Sequence, residues 1–129
     1  MEALQVTSTL FATVCLHAYY LQCTSYHHTF LLVTVFSIWF HCTHDPIIAI
    51  VDKILAHFAF LLVLMETPEA VQRNRLDLLG FPALTLGLWV LEFVFPDRRY
   101  EIHVWLHVVS VLGLHCFLIA LHGKGHYYL

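Results

Sequence analysis

The stretch from residue 102 to residue 121 reads IHVWLHVVSVLGLHCFLIAL and contains no Lys, Arg, Asp or Glu over 20 consecutive residues. An α-helix needs about 20 predominantly apolar residues to cross the hydrocarbon core of a bilayer. Helix-ending residues flank the stretch, since Pro96 precedes it and Gly123 follows it. This stretch therefore predicts a membrane-spanning helix.

The rest of the chain has the same character. Of its 129 residues, 60% are hydrophobic and only 12% are charged, whereas about 25% of the residues of a soluble domain carry a charge. Five spans are predicted, at about residues 6–22, 29–42, 47–65, 78–95 and 102–121. The predicted fold is an all-α, polytopic integral membrane helical bundle, with one domain over residues 1–129. Because the second segment is short for a span, four spans are the alternative.

Short polar connectors separate these helices. Residues 24–28 link the first two, residues 66–77 form the longest polar stretch, and residues 123–125 are expected to end the last helix. Asp45 is predicted to cap the third helix, and Pro46 to occupy its first position. If all five helices cross, the N-terminus, the Asp45 connector and the connector after Pro96 lie on the same face of the membrane.

Charge and cysteine content narrow the classes of partner. The net charge of −3 offers no basic patch for nucleic acid, and the expected partners are membrane lipids and, in a larger assembly, other subunits. Basic residues are split between the two faces, so the orientation of the chain stays open. Both the mitochondrial inner membrane and an endomembrane stay open as its location. The N-terminus lacks the basic region of a signal peptide, so the first segment is predicted to be a retained span. Buried free thiols are predicted at Cys15, Cys23, Cys42 and Cys116.

Five polar residues of the spans form a pattern that favours a metal site. Ser37 and His41 are four residues apart near the end of the second helix, Asp52 is near the start of the third, and His103 and His107 are four apart at the start of the fifth. A spacing of four places each pair on one helix face, and the alternating helix directions place all five at a similar depth. Three imidazoles, with a water held by a carboxylate, make an open four-coordinate zinc site.

Each of these residues also has a plainer interpretation. A chain with 11 histidines contains HxxxH pairs by chance. Ser37 can bond back to its own helix, and Asp52 can pair with Lys53. The remaining histidines of the spans are expected to make hydrogen bonds between helices, as at His57, His115 and His122.

The segments Ser37–His41, Asp52 and His103–His107 together resemble the three-part signature of the CREST superfamily, which includes alkaline ceramidases, progestin/adipoQ receptors and hemolysin III proteins. The run from residue 103 to residue 115, with Gly113 inside it, is similar to the last helix of hemolysin III-type proteins. Residues 52–68 are similar to their third helix.

This resemblance implies a bundle in which His41, His103 and His107 bind zinc. It also implies that Asp52 holds the zinc-bound water and that Ser37 supports the oxyanion of the transition state. The enzymes of the family cleave amide bonds in lipids such as ceramide. Family members usually have seven spans, and this chain has room for five.

Three functions follow as hypotheses. The first is a zinc-dependent membrane amidohydrolase. The second is a non-catalytic accessory subunit of a larger membrane complex, such as a mitochondrial respiratory complex. The third, and least favoured, is a haem-binding membrane anchor, with His41 facing His107 or His57 facing His115.

Overall fold

The computed structural model describes residues 3–122, and these residues form an all-α bundle without a strand. The α-helices are α1 (Ala3–Thr9), α2 (Phe11–Tyr20), α3 (Thr24–Thr43), α4 (Pro46–Leu64), α5 (Thr67–Gln72), α6 (Gly80–Val94) and α7 (Arg99–Phe117). Short 3-10 turns precede α6 (Leu76–Leu79) and α7 (Pro96–Arg98), and a π turn (Leu118–His122) continues α7. The predicted helical fold is confirmed.

The first predicted segment is divided in two at Leu10, between α1 and α2. The hydroxyls of Thr7 and Ser8 donate hydrogen bonds back to the carbonyls of Ala3 (2.9 Å) and Leu4 (2.7 Å). Such back-bonding competes with the regular helical ladder and often bends a helix. The bend therefore follows from the run of hydroxyl residues that precedes Leu10.

The connector predicted at residues 24–28 is wrong, because α3 begins at Thr24 and has 20 residues. Tyr26 explains the difference, since its side chain is fully buried and stacks near Phe30, with ring centroids 5.9 Å apart. Burial of a large aromatic side chain outweighs the polar composition of this segment. The turn between α2 and α3 contracts to three residues.

The predicted start of α4 is confirmed. One carboxylate oxygen of Asp45 accepts hydrogen bonds from the backbone N–H groups of Ile47 (2.8 Å) and Ile48 (3.3 Å), and Pro46 is the first residue of the helix. The long polar stretch at 66–77 is not wholly a connector, because it contains α5. Ala70, on that helix, is fully buried.

Three helical stretches are long and apolar enough to cross a membrane: Pro46–Gln72, Leu76–Val94 and Pro96–His122. They include the last three predicted spans. α3 is also long enough, but its histidines and hydroxyl residues lower its mean hydropathy. Residues 123–125, expected to end the last helix, lie outside the described part of the chain.

The best-packed part of the bundle lies where α2, α3 and α7 meet, at the buried residues Val14, Ala18, Phe30 and Phe117. α6 approaches α7 closely at Gly113, where an added Cβ would lie 2.7 Å from the Cβ of Phe81. All four cysteines are free thiols as predicted, but their predicted burial is wrong in part. Cys15 is buried, Cys23 and Cys116 are half-buried, and Cys42 is exposed.

Candidate metal centre

Three histidine rings come together at the end of the bundle where α3 stops and α7 starts. The ring centroid of His41 lies 5.5 Å from that of His103 and 5.5 Å from that of His107, and the last two are 4.6 Å apart. One ligand nitrogen from each ring lies within 4.8 Å of the other two. The three histidines are thus close enough to hold a metal ion, as the helix directions predicted.

Zinc–nitrogen bonds of about 2.0–2.1 Å at tetrahedral angles place ligand nitrogens roughly 3.3 Å apart. The ligand nitrogens of the three rings lie within 4.8 Å of one another, which is somewhat wider than zinc requires. Small rotations of the rings, bringing the nitrogens closer by up to roughly 1.5 Å, would complete the coordination geometry.

The hydrogen bond of His107 fixes which of its nitrogens faces the centre. Its Nδ1 lies 2.9 Å from the hydroxyl oxygen of Thr7. That hydroxyl already donates its hydrogen to the carbonyl of Ala3, so it accepts a hydrogen from Nδ1 of His107. A neutral imidazole that donates from Nδ1 has its lone pair on Nε2. His107 thus presents Nε2 as a potential ligand atom.

His103 is oriented in the same sense by a carboxylate. Its Nδ1 lies 2.7 Å from Oε1 of Glu92, and the two side chains are 26% and 15% exposed. An Nδ1–H donated to this carboxylate leaves the lone pair of His103 on Nε2. Metal-binding histidines commonly donate their second nitrogen to a carboxylate in this way, which fixes the ring and raises its basicity.

His41 supplies the test of whether these residues fit a metal. Its side chain is buried, and its Nε2 has no hydrogen-bond partner among the described residues. Leaving a buried polar nitrogen unpaired is costly, so such an atom calls for an explanation. A metal ion shared with His103 and His107 would satisfy this nitrogen, and the donor set therefore fits a metal.

Ser37 lies beside the histidines but is engaged by α1. Its hydroxyl oxygen is 2.9 Å from that of Ser8. Because Ser8 donates its own hydrogen to the carbonyl of Leu4, the hydrogen of this bond comes from Ser37. The predicted back-bond of Ser37 to its own helix is not formed.

Asp52 lines the same cavity as Ser37, His103 and His107. It makes no hydrogen bond or ion pair with another described side chain, so the alternative of an ion pair with Lys53 is not realised. Its carboxylate lies close enough to His103 and Lys53 to interact with both electrostatically. The predicted carboxylate thus stands beside the histidines with its oxygens uncommitted within the described bundle.

A cavity of about 470 Å³ extends from these polar groups into the bundle. Its polar end has Ser37, Asp52, Lys53, Glu92, His103 and His107. Its other end is apolar and is lined by residues of α3, α4, α6 and α7, including Phe30, Phe60, Val63, Phe81, Leu114 and Phe117. An outer apolar groove between α4 and α6 shares Phe60, Pro82 and Leu86 with the cavity. The cavity therefore has a polar region at the histidines and an apolar region deeper in the bundle.

Sequence reasoning missed three residues that support the site: Thr7, Ser8 and Glu92. Glu92 carried a usable signal, since a carboxylate at membrane depth needs a partner. Thr7 and Ser8 carried none, because their hydroxyls reach other helices only through the packing of α1.

The remaining histidines of the spans make separate contacts. His115 bonds to His17 (2.8 Å) and Thr13 (2.9 Å), and His122 bonds to Glu66, so their predicted bonds between helices are confirmed. The same prediction is wrong for His57, whose Nδ1 bonds within its own helix to the carbonyl of Lys53 (2.6 Å). These separate contacts do not form the facing His57–His115 pair considered for haem.

A comparison with protein-family models found no match for this chain, and comparisons with curated proteins and with solved structures found none either.

Proposed function

We propose that this chain is a five-span membrane hydrolase that binds zinc at His41, His103 and His107 and cleaves an amide bond in a lipid. The observation that carries the proposal is the convergence of three ring nitrogens within 4.8 Å of one another, two of them on rings that line a largely apolar cavity, His103 and His107. The resemblance of the same residues to the CREST signature supports the substrate class. In this proposal α1 with α2, and α3, supply the two spans beyond the three most apolar ones.

The ligand set favours zinc over other metals. Imidazole nitrogens suit zinc, and three protein ligands with one open position are typical of catalytic rather than structural zinc sites. When bound at such a site, zinc polarises a carbonyl and supplies a water whose pKa is lowered to about 7.

The protein's own residues would handle the protons of the reaction. The uncommitted carboxylate of Asp52 is placed to accept a proton from water and to return it to the leaving amine, which is general base and then general acid catalysis. Glu92 holds the ring of His103 in place. Ser37 can donate to a developing oxyanion once its hydroxyl turns away from Ser8, and hydrogen bonds of this kind stabilise the transition state.

The cavity suits an amphiphile with a single apolar chain. Its volume of about 470 Å³ lies within the range of roughly 300–1,000 Å³ that is usual for small-molecule sites. The amide would lie among the polar groups, and the acyl chain between Phe60, Phe81 and Phe117. The outer groove between α4 and α6 gives such a lipid an entrance from the bilayer.

Metal content is the first test. Protein purified in detergent without added metal should contain about one zinc per chain by mass spectrometry of the metal, because the three rings need only small rotations to bind it. His103→Ala should lose this zinc, whereas His28→Ala should retain it, since His28 is exposed and apart from the triad. Wild-type protein without bound metal would overturn the proposal.

Turnover is the second test. Wild-type protein should release fatty acid from a fluorescent ceramide analogue, and Asp52→Asn should keep its zinc but lose at least about 100-fold in rate, as expected for loss of a general base. Asp97→Asn serves as the matched control, because it makes the same change at an exposed carboxylate. Full activity of Asp52→Asn would show that Asp52 is not the general base.

A specific observation favours the accessory subunit as the second candidate. α4 exposes a row of large apolar side chains: Ile47, Ile50, Ile54, Phe58 and Leu61. Either lipid or a neighbouring subunit can cover such a face. Purification in a mild detergent with native mass measurement distinguishes the two, since a stable, active monomer excludes an obligate subunit.

A further inference from the structure

The opposite end of the bundle carries a second chemical centre, built around Cys23. Cys23 occupies the N-cap position of α3, 18 residues before His41. At 1.5 Å per helical residue this separation is about 27 Å. The centre is therefore distinct from the three-histidine site and lies at the other face of the bundle.

The thiol of Cys23 faces an imidazole. Its Sγ lies 3.7 Å from Nδ1 of His122. Nε2 of the same ring lies 2.6 Å and 2.8 Å from the two carboxylate oxygens of Glu66. An Nε2–H donated to this carboxylate leaves the lone pair on Nδ1, directed at the thiol.

This order of groups is that of a nucleophile, a base and a group that orients the base. The thiol gives its proton to Nδ1 of His122, and the carboxylate of Glu66 stabilises the imidazolium that forms. The thiolate stands at the positive end of a 20-residue helix, which lowers the cost of its charge. Three independent features thus favour a reactive thiol at this position.

A buried hydroxyl lies next to the thiol. Tyr26 is 0% exposed, and its hydroxyl makes no hydrogen bond of regular geometry to a described residue. The phenol lies beside Cys23 and beside the carboxylate of Glu66, which is close enough to act as a weak hydrogen-bond acceptor. A carbonyl oxygen presented to the thiol could accept a hydrogen bond from this hydroxyl, as substrates do in an oxyanion hole.

We propose that Cys23 is a reactive thiol, with His122 as its base and Glu66 as the orienting group, that accepts a long-chain acyl group from an acyl thioester. Cysteines at the edge of a membrane are sites of reversible S-acylation. The neighbouring helix α2 exposes Leu16, Tyr19 and Tyr20, and this face leads from the bilayer to the turn that carries Cys23. The attached acyl chain would lie along it.

The reaction is a thiol exchange without oxidation or reduction. The thiolate of Cys23 attacks the carbonyl carbon of the thioester, a new carbon–sulfur bond forms, and the bond to the leaving thiol breaks. The proton held by His122 passes to the departing thiolate, so the products are acylated Cys23 and a free thiol.

A metal ion is the competing occupant, and the ligand count disfavours it. Cys23 and His122 supply two ligand atoms, whereas Glu66 contacts the far nitrogen of the ring. Within residues 3–122, the histidine triad is the one group of three such side chains close enough to hold a metal.

Thiol reactivity is measured as the rate of alkylation with iodoacetamide at pH 7, followed by mass spectrometry of each cysteine peptide. Cys116 is the internal control, because it is half-buried like Cys23. Cys23 should react at least about ten-fold faster than Cys116. His122 faces the thiol, and it also interacts with Glu69 and Arg73, so the rates are compared at two salt concentrations.

His122→Gln keeps a donor for Glu66 but removes the base. It should slow alkylation of Cys23 at pH 7 by about ten-fold or more, while His28→Gln should have no effect. Unchanged zinc content and elution volume show that the variant folds. Equal alkylation rates for Cys23 and Cys116, or no effect of His122→Gln, would overturn the proposal.

Acyl transfer is tested by incubating detergent-solubilised protein with palmitoyl-coenzyme A. We expect an adduct on the Cys23 peptide that hydroxylamine removes, with an initial rate that falls in His122→Gln by the same factor as alkylation. Absence of an adduct, or a stoichiometric metal lost in Cys23→Ser, would reject acylation. Neither result bears on the zinc site, whose ligands lie at the other end.

Discussion

Each end of the bundle contains a histidine bonded to a glutamate, and the two pairs use opposite ring nitrogens. His103 bonds to Glu92 through Nδ1 (2.7 Å), whereas His122 bonds to Glu66 through Nε2 (2.6 Å). The free nitrogen of His103 faces two other imidazoles, and that of His122 faces a thiol. In our proposals the same pair of side chains prepares a metal ligand at one end and a base at the other, and the third neighbour decides which.

Removal of a proposed zinc ligand should give the largest difference in effect between the two ends. His107→Ala deletes one of three ligands, so zinc affinity should fall by more than the roughly 100-fold that loss of a ligand's hydrogen-bond partner causes. Alkylation of Cys23 should not change. Zinc titration against a competing chelator measures the first quantity. His122→Ala is the mirror control, and zinc loss in that variant would break the distinction between the ends.

The two carboxylates offer the next test. Glu92→Gln weakens the orientation of His103 and should lower zinc affinity by roughly 10–100-fold. Glu66→Gln should leave zinc affinity unchanged and slow the alkylation of Cys23. Equal effects of both substitutions on zinc would mean that the bundle responds as a whole rather than at the altered end.

Gly113 lies between the two ends of the bundle. It is part of α7, which carries His103 and His107 at one end and leads to His122 at the other. A Cβ at this position would lie 2.7 Å from that of Phe81, so Gly113→Ala should destabilise the bundle by about 1–3 kcal/mol through overpacking. Thermal unfolding in detergent measures the effect. Gly87→Ala on α6 is the matched control, since a Cβ there meets nothing within 4 Å and alanine favours a helix.

The smallest effect is expected at Thr7. Thr7→Val removes the acceptor for Nδ1 of His107 and nearly keeps the side-chain shape. Loss of one neutral hydrogen bond, about 0.5–1.5 kcal/mol, corresponds to a roughly 2–13-fold weaker zinc affinity. Thr13→Val removes the equivalent bond to His115 and should leave zinc binding unchanged. A larger loss in Thr13→Val than in Thr7→Val would contradict the assigned ring orientation of His107.

The sequence predicted the convergence of His41, His103 and His107, because that prediction needed only helix directions. Spacing of four placed His103 and His107 on one face, and the Asp45–Pro46 turn reversed the chain after His41. These are local signals, and the structure brings the three histidines together accordingly. The supporting bonds from Thr7 and Ser8 could not be predicted, because they depend on how α1 packs against α3 and α7.

The thiol end was not predicted, for a related reason. Cys23, Glu66 and His122 lie far apart along the chain and have no common spacing. Residues 24–28 also resembled a connector, which hid the fact that Cys23 stands at the start of a long helix. Burial of Tyr26 decides that boundary, and burial is a property of the assembled bundle.

Thr7 and Ser8 are consecutive, yet one bonds to α7 and the other to α3. Rotation of α1 about its own axis would lengthen one of these hydrogen bonds and shorten the other, because neighbouring side chains on a helix point about 100° apart. The bend at Leu10 separates this seven-residue helix from α2. The ring orientation of His107 and the freedom of the Ser37 hydroxyl therefore both depend on the position of α1. A shift of α1 would change both together.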